Sequence, residues 1–134
     1  MAGWLDSKII NLLEGGLDGL SLRHKVLADN IANIDTPGFK RSDVNFAEVL
    51  QATLEGGKTG SIELKRTLPQ HLPGIGFFND NLVVQDNSTA FRNDGNNVDI
   101  DQEMARLAQN TLQYNALASA LTSHLNLLRQ VIQS

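Results

Sequence analysis

Apolar positions fall into two long stripes, one toward each end of the chain, with a stretch lacking any helical period between them. From Ile10 onward, steps of three and four residues select Leu13, Leu17, Leu20, His24, Leu27, Ile31 and Ile34. That spacing predicts an amphipathic helix over residues 7–35, with His24 as the one polar position on its stripe. Gly15, Gly16 and Gly19 weaken its first half, since each glycine costs about 1 kcal/mol relative to alanine inside a helix. Neighbouring elements must supply the missing stability, and the glycines put the straightness of the helix in question. Thr36 precedes Pro37 and is pushed out of the α region, so the helix ends between Asn33 and Asp35, and Pro37-Gly38 suits a type II turn.

Asp43 to Leu54 reads as a short helix with Phe46, Val49, Leu50 and Leu54 inward, closed by Gly56-Gly57. Residues 56–97 then hold two of the three prolines and six of the eleven glycines, which predicts turns and loops. Ser61–Leu64 and Asn81–Gln85 are the two segments there that could form short strands. Beyond them, Ile100, Met104, Leu107, Thr111, Tyr114, Ala118, Leu121, Leu125, Leu128 and Ile132 alternate four and three apart, predicting a C-terminal helix over 99–134. Asp99 can cap it, and Asp101 and Glu103 suit its first turn against the helix dipole. The fold class expected is mainly α. The N- and C-terminal helices form an antiparallel, coiled-coil-like hairpin in a single domain over 1–134, with a short helix and an irregular, weakly β middle at 36–98.

The other faces of the C-terminal helix are unusual, because from Met104 to Ser134 the only formal charges are Arg106 and Arg129. Gln109, Asn110, Gln113, Asn115, Ser119, Thr122, Ser123 and Asn126 fill the outer positions, and Leu112, Leu117, Leu127 and Val131 widen the apolar band. Uncharged polar groups can be buried once hydrogen-bonded, whereas unpaired charges cannot, so this helix expects protein on several sides. A helix from an ordinary bundle is the plainer reading of the same pattern.

Composition narrows the chemistry. The chain has 134 residues, enough for one domain and no multi-domain enzyme. Its net charge of -4 offers no basic surface for nucleic acid. The absence of cysteine removes disulfides, thiolate metal sites and thiol nucleophiles. Charge at Asp6 and Lys8 interrupts the start, which argues against a cleavable secretion signal. His24, His71 and His124 do not share ligand spacing with one another. The acidic run from Asp94 to Glu103 fails the calcium-loop pattern, which would place its first ligand at Ala90, so a turn and helix cap explain it. Ser21 and Asp18 share a face with His24, yet nothing marks a nucleophile elbow or an oxyanion hole. Gly56-Gly57-Lys58-Thr59 lacks the earlier glycine of a phosphate loop, since residue 52 is Ala. No enzyme, cofactor, metal or small-molecule substrate is indicated.

One segment is more specific. Asn30-Ile31-Ala32-Asn33-Ile34-Asp35-Thr36-Pro37-Gly38-Phe39-Lys40 resembles the signature of bacterial flagellar rod and hook proteins, where an N-terminal helix runs into an N-x-x-N-x-x-T-P-G-aromatic turn. Short length, Phe46 after the turn, and Asp94-Gly95-Asn96 leading through Val98-Asp99 into a C-terminal helix with Asn110 and Tyr114 resemble the rod subunits of that family. The resemblance covers residues 5–54 and 94–134. It implies a non-enzymatic structural protein of the basal body, assembling helically in the proximal rod, in the periplasmic space, after type III export without a cleavable signal. The partners it implies are copies of the chain, other rod proteins, the adaptor joining rod to membrane ring, and the export gate. It implies a signature turn of Asn30, Asn33, Thr36, Pro37, Gly38 and Phe39. The assembly stripe expected with it comprises Leu13, Leu17, Leu20, Leu27, Ile31, Met104, Leu107, Tyr114, Ala118, Leu121, Leu125, Leu128 and Ile132. On physical grounds alone, the pattern also fits a helical secretion chaperone or an adaptor-type binding module.

Overall fold

The computed structural model describes residues 3–54, 82–87 and 92–133. Five elements follow in order: α1 (Gly3–Ala32), β1 (Ser42–Val44), α2 (Phe46–Leu54), β2 (Val83–Gln85) and α3 (Ile100–Gln133). The expected segment Ser61–Leu64, the Gly56-Gly57 stop and the glycine-lysine run at 56–59 lie outside the described residues. At about 1.5 Å per residue, the 34-residue α3 is a rod of roughly 50 Å.

The two long helices pair as an antiparallel hairpin. Asn30 meets Glu103, the Leu20 carbonyl meets Asn110, and Gly16 faces Leu117, so residue numbers fall along α1 as they rise along α3. Leu20 and Leu27 are buried from the α1 stripe, whereas Leu13, Leu17 and Ile31 are half-buried and His24 is exposed. The histidine therefore takes no part in the core.

The glycines of α1 leave the helix continuous, and their role is spatial. A Cβ on Gly19 would lie 2.9 Å from Val49 Cγ1 and 3.1 Å from the Phe46 ring, and one on Gly16 would lie 2.9 Å from Leu117 Cδ1. Gly15 would press on Thr53 in the same way. The missing side chains are what let α2 and α3 approach α1, and packing of both helices offsets the poor helix propensity.

Expected as helix from Asp43, the chain is instead a strand at Ser42–Val44, and α2 begins only at Phe46. The Asn30 side-chain amide overrides local preference here. Its Oδ1 accepts from the Ser42 N–H at 2.9 Å and its Nδ2 donates to the Ser42 carbonyl at 2.8 Å, as a neighbouring strand would. On the other side β1 pairs antiparallel with β2, Asp43 opposite Val84, and Asp86 N–H to the Arg41 carbonyl and Asn45 N–H to the Leu82 carbonyl extend the ladder. Asp99 caps α3 as expected, its Oδ1 accepting from the Asp101 N–H at 3.0 Å and the Gln102 N–H at 3.4 Å.

The Thr36–Phe39 turn is closed by Phe39 N–H to the Thr36 carbonyl at 3.3 Å, with Gly38 at φ +72°. That is a type II turn with Pro37 and Gly38 at its centre. A Cβ on Gly38 would meet nothing within 4 Å, so only the backbone conformation resists substitution. Gly38→Ala should therefore cost about 1–2 kcal/mol in a urea melt, from the left-handed conformation alone. A loss below ~0.3 kcal/mol would refute this reading of the turn.

Candidate functional site

Among the described residues, five apolar side chains are buried, Leu20, Leu27, Val44, Val49 and Val98, against six polar ones, Asn30, Arg41, Asn96, Asn97, Glu103 and Asn110. Polar side chains, each needing a specific partner, therefore specify the centre of the molecule as much as oil-like burial does.

They form a clasp between the signature turn and the entry to α3. Asn30, at the end of α1, donates through Nδ2 to Glu103 Oε2 at 2.9 Å as well as to β1. Arg41 Nε donates to Glu103 Oε1 at 3.0 Å, while its Nη2 reaches Asp43 at 3.2 Å and its Nη1 lies 3.9 Å from Asp86. Arg106 Nη1 lies 3.5 Å from both Glu103 and Asp43, and Arg23 Nε lies 3.4 Å from Asp43. Three guanidiniums thus alternate with three carboxylates, which lets a fully buried Glu103 carry charge at modest cost. Glu103 does lie in the first turn of α3, as expected, and the structure adds that it is buried in this network.

The remaining signature residues hold the turn itself. Asn33 Nδ2 donates to the Asp29 carbonyl at 2.8 Å, and its Oδ1 accepts from Thr36 Oγ1 at 3.1 Å. Pro37 and Gly38 lie exposed at the tip, and Phe39 is half-buried behind them. Against this turn sits a second one, with Gly95 at φ +82° close to Gly38, and Asn96 and Asn97 reach across from it.

On α3 the packing line differs from the one read in the sequence. Glu103, Leu107, Asn110, Leu117, Leu121, His124 and Leu128 are buried or half-buried, whereas Met104, Thr111, Tyr114, Leu125 and Ile132 are exposed, with Ala118 half-buried. Asn110, read as an outer position, is buried and donates from Nδ2 to the Leu20 carbonyl at 3.0 Å, its Oδ1 finding no donor among the described residues. A helix rotation of about 40–50° separates the two lines, since they share 107, 121 and 128, while 103, 110, 117 and 124 each fall one residue before the position read in the sequence. The inward line carries Glu103 and Asn110, and the more apolar line points away. Leu112, Val131 and Ile132 are 71%, 74% and 84% exposed, and Met104, Leu107, Ala108, Thr111, Leu112 and Asn115 line a shallow groove. Among the described residues, no helix is long and apolar enough to cross a membrane.

Arg41, Asn97, the contacts of Asn96 to the signature turn, and the inward role of Glu103 and Asn110 escaped the sequence reading. The spacing of Glu103 and Asn110, seven apart on a nearly uncharged helix, was the available signal, because it repeats every two turns.

A helix running into this turn, clasped to a long C-terminal helix, defines the class. Residues 10–40, from within α1 through the turn, match the family model described as flagella basal body rod protein. Over nearly the whole chain, flagellar basal body rod protein FlgB of Borrelia hermsii is 38% identical, across 92% of this chain and 95% of the relative. Its counterparts in Proteus mirabilis HI4320 and Bacillus subtilis 168 are 37% and 34% identical, covering 94% and 96% of this chain and 96% and 95% of their own. The chain belongs to the family of flagellar basal body rod protein FlgB. It is a structural component of the proximal rod in the bacterial flagellar basal body, associates with itself and other rod components, and is not an enzyme. The chaperone and adaptor readings find no support in these likenesses.

Proposed function

We propose that the outward line of α3, with Met104, Leu112, Leu125 and Ile132 at its centre, is where neighbouring rod subunits press against this one. One observation carries the reading: α3 turns Glu103 and Asn110 inward and leaves its more apolar line exposed. A chain optimising its own core would do the reverse, since burying a Leu or Met side chain gains about 1.5–3 kcal/mol relative to exposing it. The arrangement makes sense where other copies complete the burial. The half-buried stripe residues Leu13, Leu17 and Ile31 of α1, with Leu107, Ala118, Leu121 and Leu128 of α3, hold the hairpin beneath that surface, and Tyr114 lies at its edge. Subunits stacked in this way build a helical rod in the periplasmic space, reached through the flagellar type III export apparatus. At its base the rod meets the adaptor to the membrane ring and the export gate, with the signature turn at the end of the hairpin holding the subunit's shape.

The test is Leu112→Asp combined with Leu125→Asp, two exposed positions whose change leaves the hairpin core untouched. The purified variant should keep the helical circular dichroism of the parent, and cells should still export it. Rods should be missing, because each interface would bury unpaired carboxylates at several kcal/mol apiece. Basal bodies carrying complete rods of the variant would refute the proposal.

A further inference from the structure

Two turns face each other across the clasp, and they differ in how they are held. The 92–98 turn is largely self-sufficient. Gly95 N–H donates to the Arg92 carbonyl at 3.0 Å and Arg92 N–H to the Asn96 carbonyl at 3.1 Å. Asp94 Oδ1 accepts from the Asn96 N–H at 3.1 Å, and Asn96 Oδ1 accepts from the Val98 N–H at 2.7 Å. Asn96 is thereby fixed with its Nδ2 toward the signature turn, and both Asn96 and Asn97 are buried.

The end of α1 depends on them. α1 stops at Ala32, and the carbonyls of the turn that follows it are met by one amide from sixty residues downstream. Asn96 Nδ2 donates to the carbonyls of Asn33, Ile34 and Thr36 at 3.1, 2.9 and 2.9 Å, and Arg92 Nη1 adds a bond to the Ile34 carbonyl at 3.1 Å. Asn97 continues the same service: its Oδ1 accepts from the Arg41 N–H at 2.7 Å, its Nδ2 donates to the Asp86 carbonyl at 2.9 Å, and its N–H donates to the Phe39 carbonyl at 3.4 Å.

We infer that the 92–98 turn is a strap that closes the signature turn: a preformed template whose docking orders residues 33–45 and β2 as one cooperative unit, separable from the paired bodies of α1 and α3. The signature turn closes on itself through Phe39 N–H and the Asn33 side chain, but the donors that Asn96 and Arg92 bring to its carbonyls come from the C-terminal third, so it is completed when that third has arrived. The shape at this end of the subunit is therefore set when the whole chain is present. The strap is a property of the single chain and stands whether or not the outward line of α3 is an assembly surface.

Amide hydrogen exchange on the full-length Asn96→Asp variant tests it. Aspartate keeps the acceptor for Val98 and the size of the side chain, but sets an oxygen against three carbonyl oxygens. Exchange at Phe39, Arg41 and Asp86, none of whose N–H groups bonds to Asn96, should speed up together by about tenfold or more, while Leu20 to Leu27 in α1 stay within about twofold. Unchanged exchange at Phe39 and Arg41 would overturn the strap. So would equal loss throughout α1, which would mean one undivided fold. Should Asn96→Asp fail to fold, Arg92→Ala decides the matter, since Arg92 is half exposed and its loss leaves the hairpin intact. It should raise exchange at Phe39 by about threefold, and no change there would equally overturn the inference.

Discussion

Arg41→Ala should destabilise the chain by about 3 kcal/mol or more, measured as the urea midpoint of far-ultraviolet circular dichroism, because removing one partner strands a buried charge. Glu103 is fully buried and takes its shortest charge-bearing contact, 3.0 Å, from Arg41 Nε. Asn30 at 2.9 Å and Arg106 at 3.5 Å remain, but neither a neutral amide nor a longer contact replaces the guanidinium. Asp43 would also lose the arginine that lies 3.2 Å away. The second half of the cycle identifies the cause. Arg41→Ala with Glu103→Gln should regain at least about half of the lost stability, since the glutamine still accepts from Asn30 and carries no charge. A double variant as unstable as the sum of its singles would show that packing, and not charge pairing, makes Arg41 matter.

Gly19→Leu should cost a comparable amount, about 3 kcal/mol, for a reason unrelated to backbone conformation. Its Cβ would arrive 2.9 Å from Val49 Cγ1 and 3.1–3.2 Å from the Phe46 ring. Both are stiff side chains on α2, one β-branched and one aromatic, so that helix must lift from α1 and Val49 must lose its burial. Gly16→Ala provides the contrast one turn earlier. Its contact, Leu117 Cδ1 at 2.9 Å, is the far end of a flexible side chain on α3. The gain of about 1 kcal/mol in helix propensity should nearly offset the adjustment, leaving stability within ~1 kcal/mol of the parent. If Gly19→Leu melts like the parent, α2 is not seated on the glycine face as described, and if Gly16→Ala proves as harmful as Gly19→Leu, Leu117 on α3 does not yield as described.

These two sites show where legibility in the sequence ended. Heptad spacing of Leu and Ile reports a buried face, so both long helices and their hairpin pairing could be read directly. Proline geometry reports a helix stop, so the type II turn at Pro37-Gly38 could be read as well, and Asp99 declared itself as a cap. The signature from Asn30 to Phe39 was legible as a motif, although its physical work was not. Glycines in α1 read only as weak helix formers, because propensity is local and the side chains of α2 and α3 that need their space come from elsewhere in the chain. Asp43 read as helical for the same reason: the strand at Ser42–Val44 exists because the Asn30 amide, twelve residues earlier, takes both backbone groups of Ser42.

By itself the sequence determined the class of fold, the ends of its helices to within a few residues, and the family, since these rest on periodicity, turn chemistry and one contiguous motif. Tertiary structure alone decided the rotation of α3. Hydrophobicity favours the line through Met104, Leu125 and Ile132, and the helix is turned about 40–50° from it because Glu103 and Asn110 find partners on α1 and beside β1. Hydrogen bonds and ion pairs between residues 60 to 90 positions apart have no periodicity to announce them. They become visible only when the chain has folded and each buried polar group has its partner within reach.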